Sequence, residues 1–139
     1  MEFKKDYVYK VVNRKSSKYM DVYNNKTDNG AWLDQYEWQG RDNQRWVIYP
    51  MDDGNLIFIN LASGRLMDVI NNSHNNGEYL NQYEWQGNNS QLWYPVEKED
   101  GYFALRNANS GKYVDVVYNS TANAEYLNQY DWQDSDIYN

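Results

Sequence analysis

Three aspartates, Asp21, Asp68 and Asp115, recur at a fixed interval of 47 residues, in Tyr-Met-Asp-Val, Leu-Met-Asp-Val and Tyr-Val-Asp-Val. Downstream of each lies an aromatic heptamer. The copies read Leu33-Asp34-Gln35-Tyr36-Glu37-Trp38-Gln39, Leu80-Asn81-Gln82-Tyr83-Glu84-Trp85-Gln86 and Leu127-Asn128-Gln129-Tyr130-Asp131-Trp132-Gln133. Carboxylates, amides and aromatic rings in one register can accept, donate and stack. A pair of carboxylates at a set separation is what glycoside hydrolysis needs, and Asp21 with Asp34 or Glu37 is such a pair. Position 34 becomes Asn81 and Asn128 in the later copies, however, so the pair is not repeated. No phosphate-binding loop, HExxH or Gly-x-Ser-x-Gly is present. His74 has Thr27 and Thr121 as its phase-mates, which reads as a solvated loop histidine. The run Asp52-Asp53-Gly54 is too short and unpatterned for a calcium loop.

Bulk composition narrows the partners. The 139 residues suit one domain. A net charge of −7 argues against a nucleic-acid backbone or an anionic membrane surface as partner. Cysteine is absent, which excludes disulfides and thiolate metal sites and fits a reducing compartment. No apolar run approaches a membrane span, and Met-Glu-Phe-Lys-Lys-Asp has no signal-peptide core. The expected localisation is therefore cytoplasmic, release without a visible signal, or a domain cut from a longer secreted chain. Tyr and Trp are abundant, at 15 and 6 copies. They suit both a core short of aliphatics and half-buried ligand platforms.

The elements that position these groups follow the same period. Asn13, Asn60 and Asn107 share a phase, as do Trp46 and Trp93. Each copy reads as short strands: 9–13 or 56–60, then 19–23, an Asn/Gly-rich turn over 24–30, a strand over 32–38 and another over 44–49. No sustained helical period occurs. About twelve short strands in three equal sets predict an antiparallel barrel closed by threefold repetition, which removes edge strands. The repeats run over about 7–54, 55–101 and 102–139. The third equivalent of Trp46 would be position 140, and Glu2 and Phe3 carry the phase of Tyr49 and Pro50. The N-terminus is thus expected to close the third repeat, pairing beside residues 132–139.

Val-Val-Asn, Ser-Ser-Lys-Tyr-Met-Asp-Val, Gln-Tyr and Asn43-Gln44-Arg45-Trp46 together resemble the ricin-B-type β-trefoil lectins. That family closes its repeats with Gln-x-Trp behind an Asp-Val. The resemblance covers nearly the whole chain. It implies an all-β β-trefoil of three 47-residue repeats, six strands in a short barrel and six in a hairpin cap. It also implies shallow sites for galactose- or N-acetylgalactosamine-type sugars, up to one per repeat.

A sugar site needs a carboxylate to accept, an amide to donate and a ring to stack on the C–H face. In the first repeat Asp21 resembles the family's carboxylate, Asn43 its donating amide, Gln44 the group that orients Asp21 from behind, and Trp46 the core anchor. Strand alternation sets Leu33 and Gln35 on one face and Asp34, Tyr36 and Trp38 on the other. The invariant Leu marks the core face, so Tyr36 is the first choice of platform, with Trp38 as flank or alternative. Gln35, Gln82 and Gln129 read as buried amides bonded to backbone. The second repeat offers Asp68, Asn81, Tyr83, Trp85 and Gln91, with Ser90 in the amide position and Asn89 beside it as a substitute. The third offers Asp115, Asn128, Tyr130 and Trp132, but Ile137 and Tyr138 stand where Asn and Gln are expected, which makes it the weakest site.

The function that fits is a multivalent carbohydrate-binding lectin with glycans or glycoconjugates as partners. It needs no cofactor and no metal, and it neither binds nucleic acid nor inserts into membranes. A homodimer is left open. The alternatives are a trefoil used only for protein contacts and, less favoured, a glycosidase.

Overall fold

The computed structural model describes residues 2–133. Eleven strands follow one another: β1 (Val8–Tyr9), β2 (Tyr19–Val22), β3 (Leu33–Tyr36), β4 (Trp46–Pro50), β5 (Leu56–Asn60), β6 (Leu66–Val69), β7 (Leu80–Tyr83), β8 (Trp93–Glu97), β9 (Phe103–Asn107), β10 (Tyr113–Val116) and β11 (Glu125–Tyr130). Among the described residues the only helical segments are three-residue 3-10 turns. Every strand pairing is antiparallel. The fold is the expected β-trefoil. Short two-strand units, β2–β3, β6–β7 and β10–β11, form the cap, and the remaining strands build the barrel wall.

Register is the same in each cap unit. Asp21 lies opposite Asp34, Asp68 opposite Asn81, and Asp115 opposite Asn128. A one-residue slip would turn Leu33, Leu80 and Leu127 out of the core, so burial fixes the pairing. The first strand is shorter than expected. Only Val8–Tyr9 pairs with β4, and Val12 returns as an isolated bridge to Tyr19.

The core gathers Val22, Leu33, Ile48, Phe58, Met67, Leu80 and their neighbours around Trp46 and Trp93, both fully buried. Each indole N–H donates to a strand carbonyl, Trp46 to Met20 at 3.0 Å and Trp93 to Met67 at 3.1 Å. The carbonyl bonded is that of the residue just before Asp21 or Asp68. The anchoring Trp therefore satisfies its own buried donor and holds the strand that carries the aspartate.

The heptamer glutamines join the repeats. Gln35 donates to the carbonyls of Ser120 and Ala122, Gln82 to those of Lys26 and Asp28, and Gln129 to those of Ser73 and Asn75. Ser16, Ser63 and Ser110 donate to their side-chain oxygens. All three glutamines are buried amides bonded to backbone, as the sequence implies. Each ties its own strand to the loop of the neighbouring repeat.

Phe3 packs against the core, with its ring 5.7 Å from that of Phe103 and 6.0 Å from that of Tyr9. The expected pairing of the N-terminus with residues 132–139, and the roles of Ile137 and Tyr138, fall largely outside the described residues. Val114, the counterpart of Met20 and Met67, lines an apolar cavity of about 70 Å³ with Val11, Phe103 and Leu105.

Candidate functional site

The first site forms where β2 and β3 lie side by side beneath two loops. The cavity, of about 340 Å³, is lined by Asp21, Asp34, Tyr36, Asn43, Arg41 and the loop residues Tyr23, Asn24 and Asn25, with Gln39 and Ala124 at its edge. Asp21 and Asp34 are almost fully buried, with their Cα atoms directly paired. Asp21 is held from behind by two amides. Asn43 Nδ2 donates to Asp21 Oδ1 and also to the Val22 carbonyl, and Gln44 Nε2 donates to Asp21 Oδ2 at 3.1 Å. Gln44 is itself fixed, donating to the Glu37 carbonyl and accepting from the Gln39 N–H, both at 2.8 Å. Gln44 thus positions the carboxylate from inside the wall, as the resemblance implies. Asn43 gives both of its described donor bonds to the protein and leaves Oδ1 buried without a partner.

Burial dominates the electrostatics. It pushes the Asp21 carboxyl up to about 7, against the lowering effects of Gln44, Arg41 and Asn43. It pushes Asp34 up to about 8, with the neighbouring Asp21 adding to the rise. Oδ1 of Asp34 has no hydrogen-bond partner. The cavity wall therefore carries two desolvated carboxyls and Asn43, together with the donors of Tyr23, Tyr36, Asn24, Asn25 and the exposed Arg41.

The second site repeats the plan at about 220 Å³, lined by Asp68, Asn81, Tyr83, Gln86 and the loop Val69 to Asn72. Gln91 donates to Asp68 Oδ2 at 3.3 Å and to the Glu84 carbonyl at 2.8 Å. Ser90 is buried and donates to Asn72 Oδ1 at 2.6 Å, so it braces the loop. Asn89 is exposed and does not line the cavity, because the 3-10 turn Asn89–Gln91 points the next residue, Ser90, inward. Burial also raises Asp68, and it raises Asp115 in the third repeat to about 7. There Asn128 and Tyr130 flank Asp115 on the paired strand.

The Trp residues of the heptamers stand apart from these cavities. Strand alternation stops at Tyr36 and Tyr83, where β3 and β7 end, so Trp38 and Trp85 do not continue the face. Trp38 packs on Tyr19 at 5.2 Å and carries Lys10 over its ring at 4.2 Å. Trp85 is 49% exposed, and Trp132 sits between Tyr113 and Lys98. The first-choice platforms Tyr36 and Tyr83 do line their cavities.

Sequence reasoning missed Arg41 and the loop residues Tyr23, Asn24 and Asn25. A signal was present. Tyr23-Asn24-Asn25, Ile70-Asn71-Asn72 and Val117-Tyr118-Asn119 share one phase, directly after Asp-Val. Asn24 and Asn71 take positive φ, of 57° and 56°, a conformation that Asn tolerates best after Gly. Arg41 has Asn88 and Ser135 as phase-mates, so repetition hid it.

Comparison with known proteins agrees with this fold. The model of the ricin-type beta-trefoil lectin domain-like family matches residues 2–83 and 56–130. The chain is similar to ThreeFoil, a designed threefold symmetric protein, at 37% identity over 94% of both chains with a TM-score of 0.92. It is similar to 30% of the length of an exo-beta-1,3-galactanase from Clostridium thermocellum, at 29% identity over 98% of this chain and a TM-score of 0.93. The Rhizoctonia solani agglutinin shares the fold at 19% identity, over 94% of this chain and 89% of its own, with a TM-score of 0.84. Among curated protein sequences no match was found.

Proposed function

Because the chain belongs to the ricin-type β-trefoil lectin domain-like family, we propose that it binds galactose- or N-acetylgalactosamine-type glycans through its repeat sites, without turning them over. The observation that carries this reading is the braced carboxylate. Asp21 is clamped by Asn43 and Gln44 at the base of an open cavity whose wall includes Tyr36. A fixed acceptor beside a ring is what a hydroxylated ring with one apolar face requires. The similarity to part of a galactanase supports a galactose-type ligand. Asp68 with Tyr83 provides a second site, and Asp115 with Tyr130 a third, weaker one. Each shallow site is weak alone, and clustering gains roughly 10²–10⁴-fold by avidity.

Hydrolysis is disfavoured by the difference between the repeats. Asp21 and Asp34 are adjacent on paired strands at the cavity wall, and in the other repeats the second carboxyl is an amide. A glycan array on the purified chain, followed by titration calorimetry, tests the reading. Galactosides should bind and Asp21→Ala should lose most of the affinity at the first site. Unchanged affinity in that variant removes Asp21 from the site. Released monosaccharide on chromatography would make the protein an enzyme.

A further inference from the structure

At one buried position facing the repeat aspartate, the first repeat differs from the other two by a single atom type. Asp34 stands where Asn81 and Asn128 stand, in the same register and equally buried. Asp34 is 2% exposed, its Oδ1 has no partner, and it lines the cavity opposite Asp21. Asn43, 3% exposed, adds a third buried oxygen without a partner, its Oδ1, because its N–H groups are spent on Asp21 and the Val22 carbonyl. Asp21, Asp34 and Asn43 therefore line one concave wall, and none of the donors that share it, Arg41, Tyr23, Tyr36, Asn24, Asn25 or Gln39, satisfies Asp34 Oδ1 or Asn43 Oδ1.

A neutral hydroxyl brings one donor. A primary ammonium brings three donors and a positive charge. From these acceptors we propose that the first site selects a sugar bearing a free, protonated amino group, a 2-amino-2-deoxyhexose, over its neutral or N-acetylated form. The proposal rests on the sugar-binding reading of this site and names its substrate class.

The charge balance can be followed through. Before binding, desolvation and the Asp21 charge keep the Asp34 carboxyl protonated near neutrality. The arriving ammonium already carries its proton, so Asp34 releases its own to the buffer and becomes the partner carboxylate. No bond other than O–H breaks, and binding releases a proton. The groups facing Asp34 are Asp21 from the paired strand and Tyr126 and Tyr23 from the adjoining elements, while Arg41 bears on Asp21 from the cavity mouth. Arg41 is exposed and screened by solvent, whereas the carboxyls are buried, so attraction by the carboxyls outweighs repulsion by the guanidinium.

The test is calorimetry of the intact chain just below neutrality with galactosamine, N-acetylgalactosamine, galactose and galacturonate, in two buffers of different ionisation enthalpy. Galactosamine should bind about tenfold or more tighter than galactose, the gain of one charge-assisted contact over a neutral one. It should also show a buffer-dependent heat that corresponds to proton release, and galactose should not. Asp34→Asn places in the first repeat the residue that the other two already accept. It should abolish both the preference and the proton release. Asn81→Asp should install both in the second site. Galactose binding with no preference for galactosamine, or a preference that survives Asp34→Asn, overturns the inference and leaves the lectin reading standing. A preference for galacturonate overturns it in favour of Arg41. Binding of galactosamine only when calcium is added, and its loss with a chelator, assigns the oxygens to a metal instead. Binding of none of the four sugars overturns both readings.

Discussion

The first and second repeats share a backbone and a register but not a chemistry. Both hold an aspartate opposite the heptamer's second residue, both clamp it with the glutamine of Gln-x-Trp, and both anchor that arrangement on a buried indole. Three differences fall at or beside the repeat aspartate's surroundings. The first repeat has Asp34, Asn43 and Arg41, and the second has Asn81, Ser90 and Asn88. The residues that hold the aspartate in place are thus repeated, while several of its polar neighbours have diverged. Burial explains the separation. A change at Trp46 or Gln44 disturbs packing and a buried hydrogen-bond chain, whereas a change at Arg41 leaves the fold untouched.

The largest expected effect tests the shared part. Trp46→Ala and Trp93→Ala should each cost about 3–5 kcal/mol in chemical denaturation, because each removes a fully buried aromatic. Nearly equal losses would support equivalent anchors, and a negligible loss at one would break the comparison.

The next tests the part that differs. Asp21→Ala should cost the first site about 1.5–3 kcal/mol per charge-assisted bond to a sugar hydroxyl. Asp68→Ala should cost no more, since the second site has Asn81 and Ser90 in place of the Asp34 carboxyl and the Asn43 amide. Calorimetric affinities for the two variants that reverse this order would show the second site to be the stronger.

A pH series sharpens the comparison without ligand. Asp21, Asp34 and Asp115 have carboxyls raised in the folded state to about 7, 8 and 7. A raised value means that the folded state binds protons more tightly than the unfolded chain. Their contribution to stability is therefore full below the ordinary carboxylate value and is lost as pH rises through 7 to 8. Tm should fall across that window, and Asp34→Asn should flatten the fall. A Tm that rises from pH 5 to 8 in the wild type contradicts the burial of these groups.

The smallest effect concerns the inter-repeat loops. Gly30 and Gly77 donate their N–H to Gln82 and Gln129 carbonyls with φ of 87° and 85°, and Ala124 makes the same bond to Gln35 with φ of 68°. A Cβ in this left-handed region is strained. Ala124→Gly should therefore stabilise by roughly 0.5–1 kcal/mol, read by denaturant midpoint. No change would mean that the third loop relaxes where the other two do not.

Strand alternation put Asp34 and Tyr36 on one face, the family resemblance brought Asp21 and Gln44 to it, and the heptamer glutamines read as buried amides. These readings failed at Trp38 and Trp85, which alternation carried onto the ligand face. The strands end two residues earlier, and past a strand end the chain's direction is set by loop packing on Tyr19, Lys10 and Arg45. They also failed at Arg41, which carries no repeated signal.

By itself the sequence determined an all-β barrel closed by threefold repetition, because its apolar residues recur in phase in three copies, and the resemblance to the ricin-B-type lectins made that barrel a trefoil. Only the tertiary structure decided which way the amides point. Asn43 can donate and accept by composition, but the Asp21 carboxylate and the Val22 carbonyl take its N–H groups and leave its oxygen buried without a partner. Likewise Asp34 is an ordinary acid in the sequence, and it becomes one held protonated near neutrality only because the fold buries it against Asp21. Hydrogen-bond direction and desolvation depend on atoms brought together from distant positions, and the order of residues does not carry them.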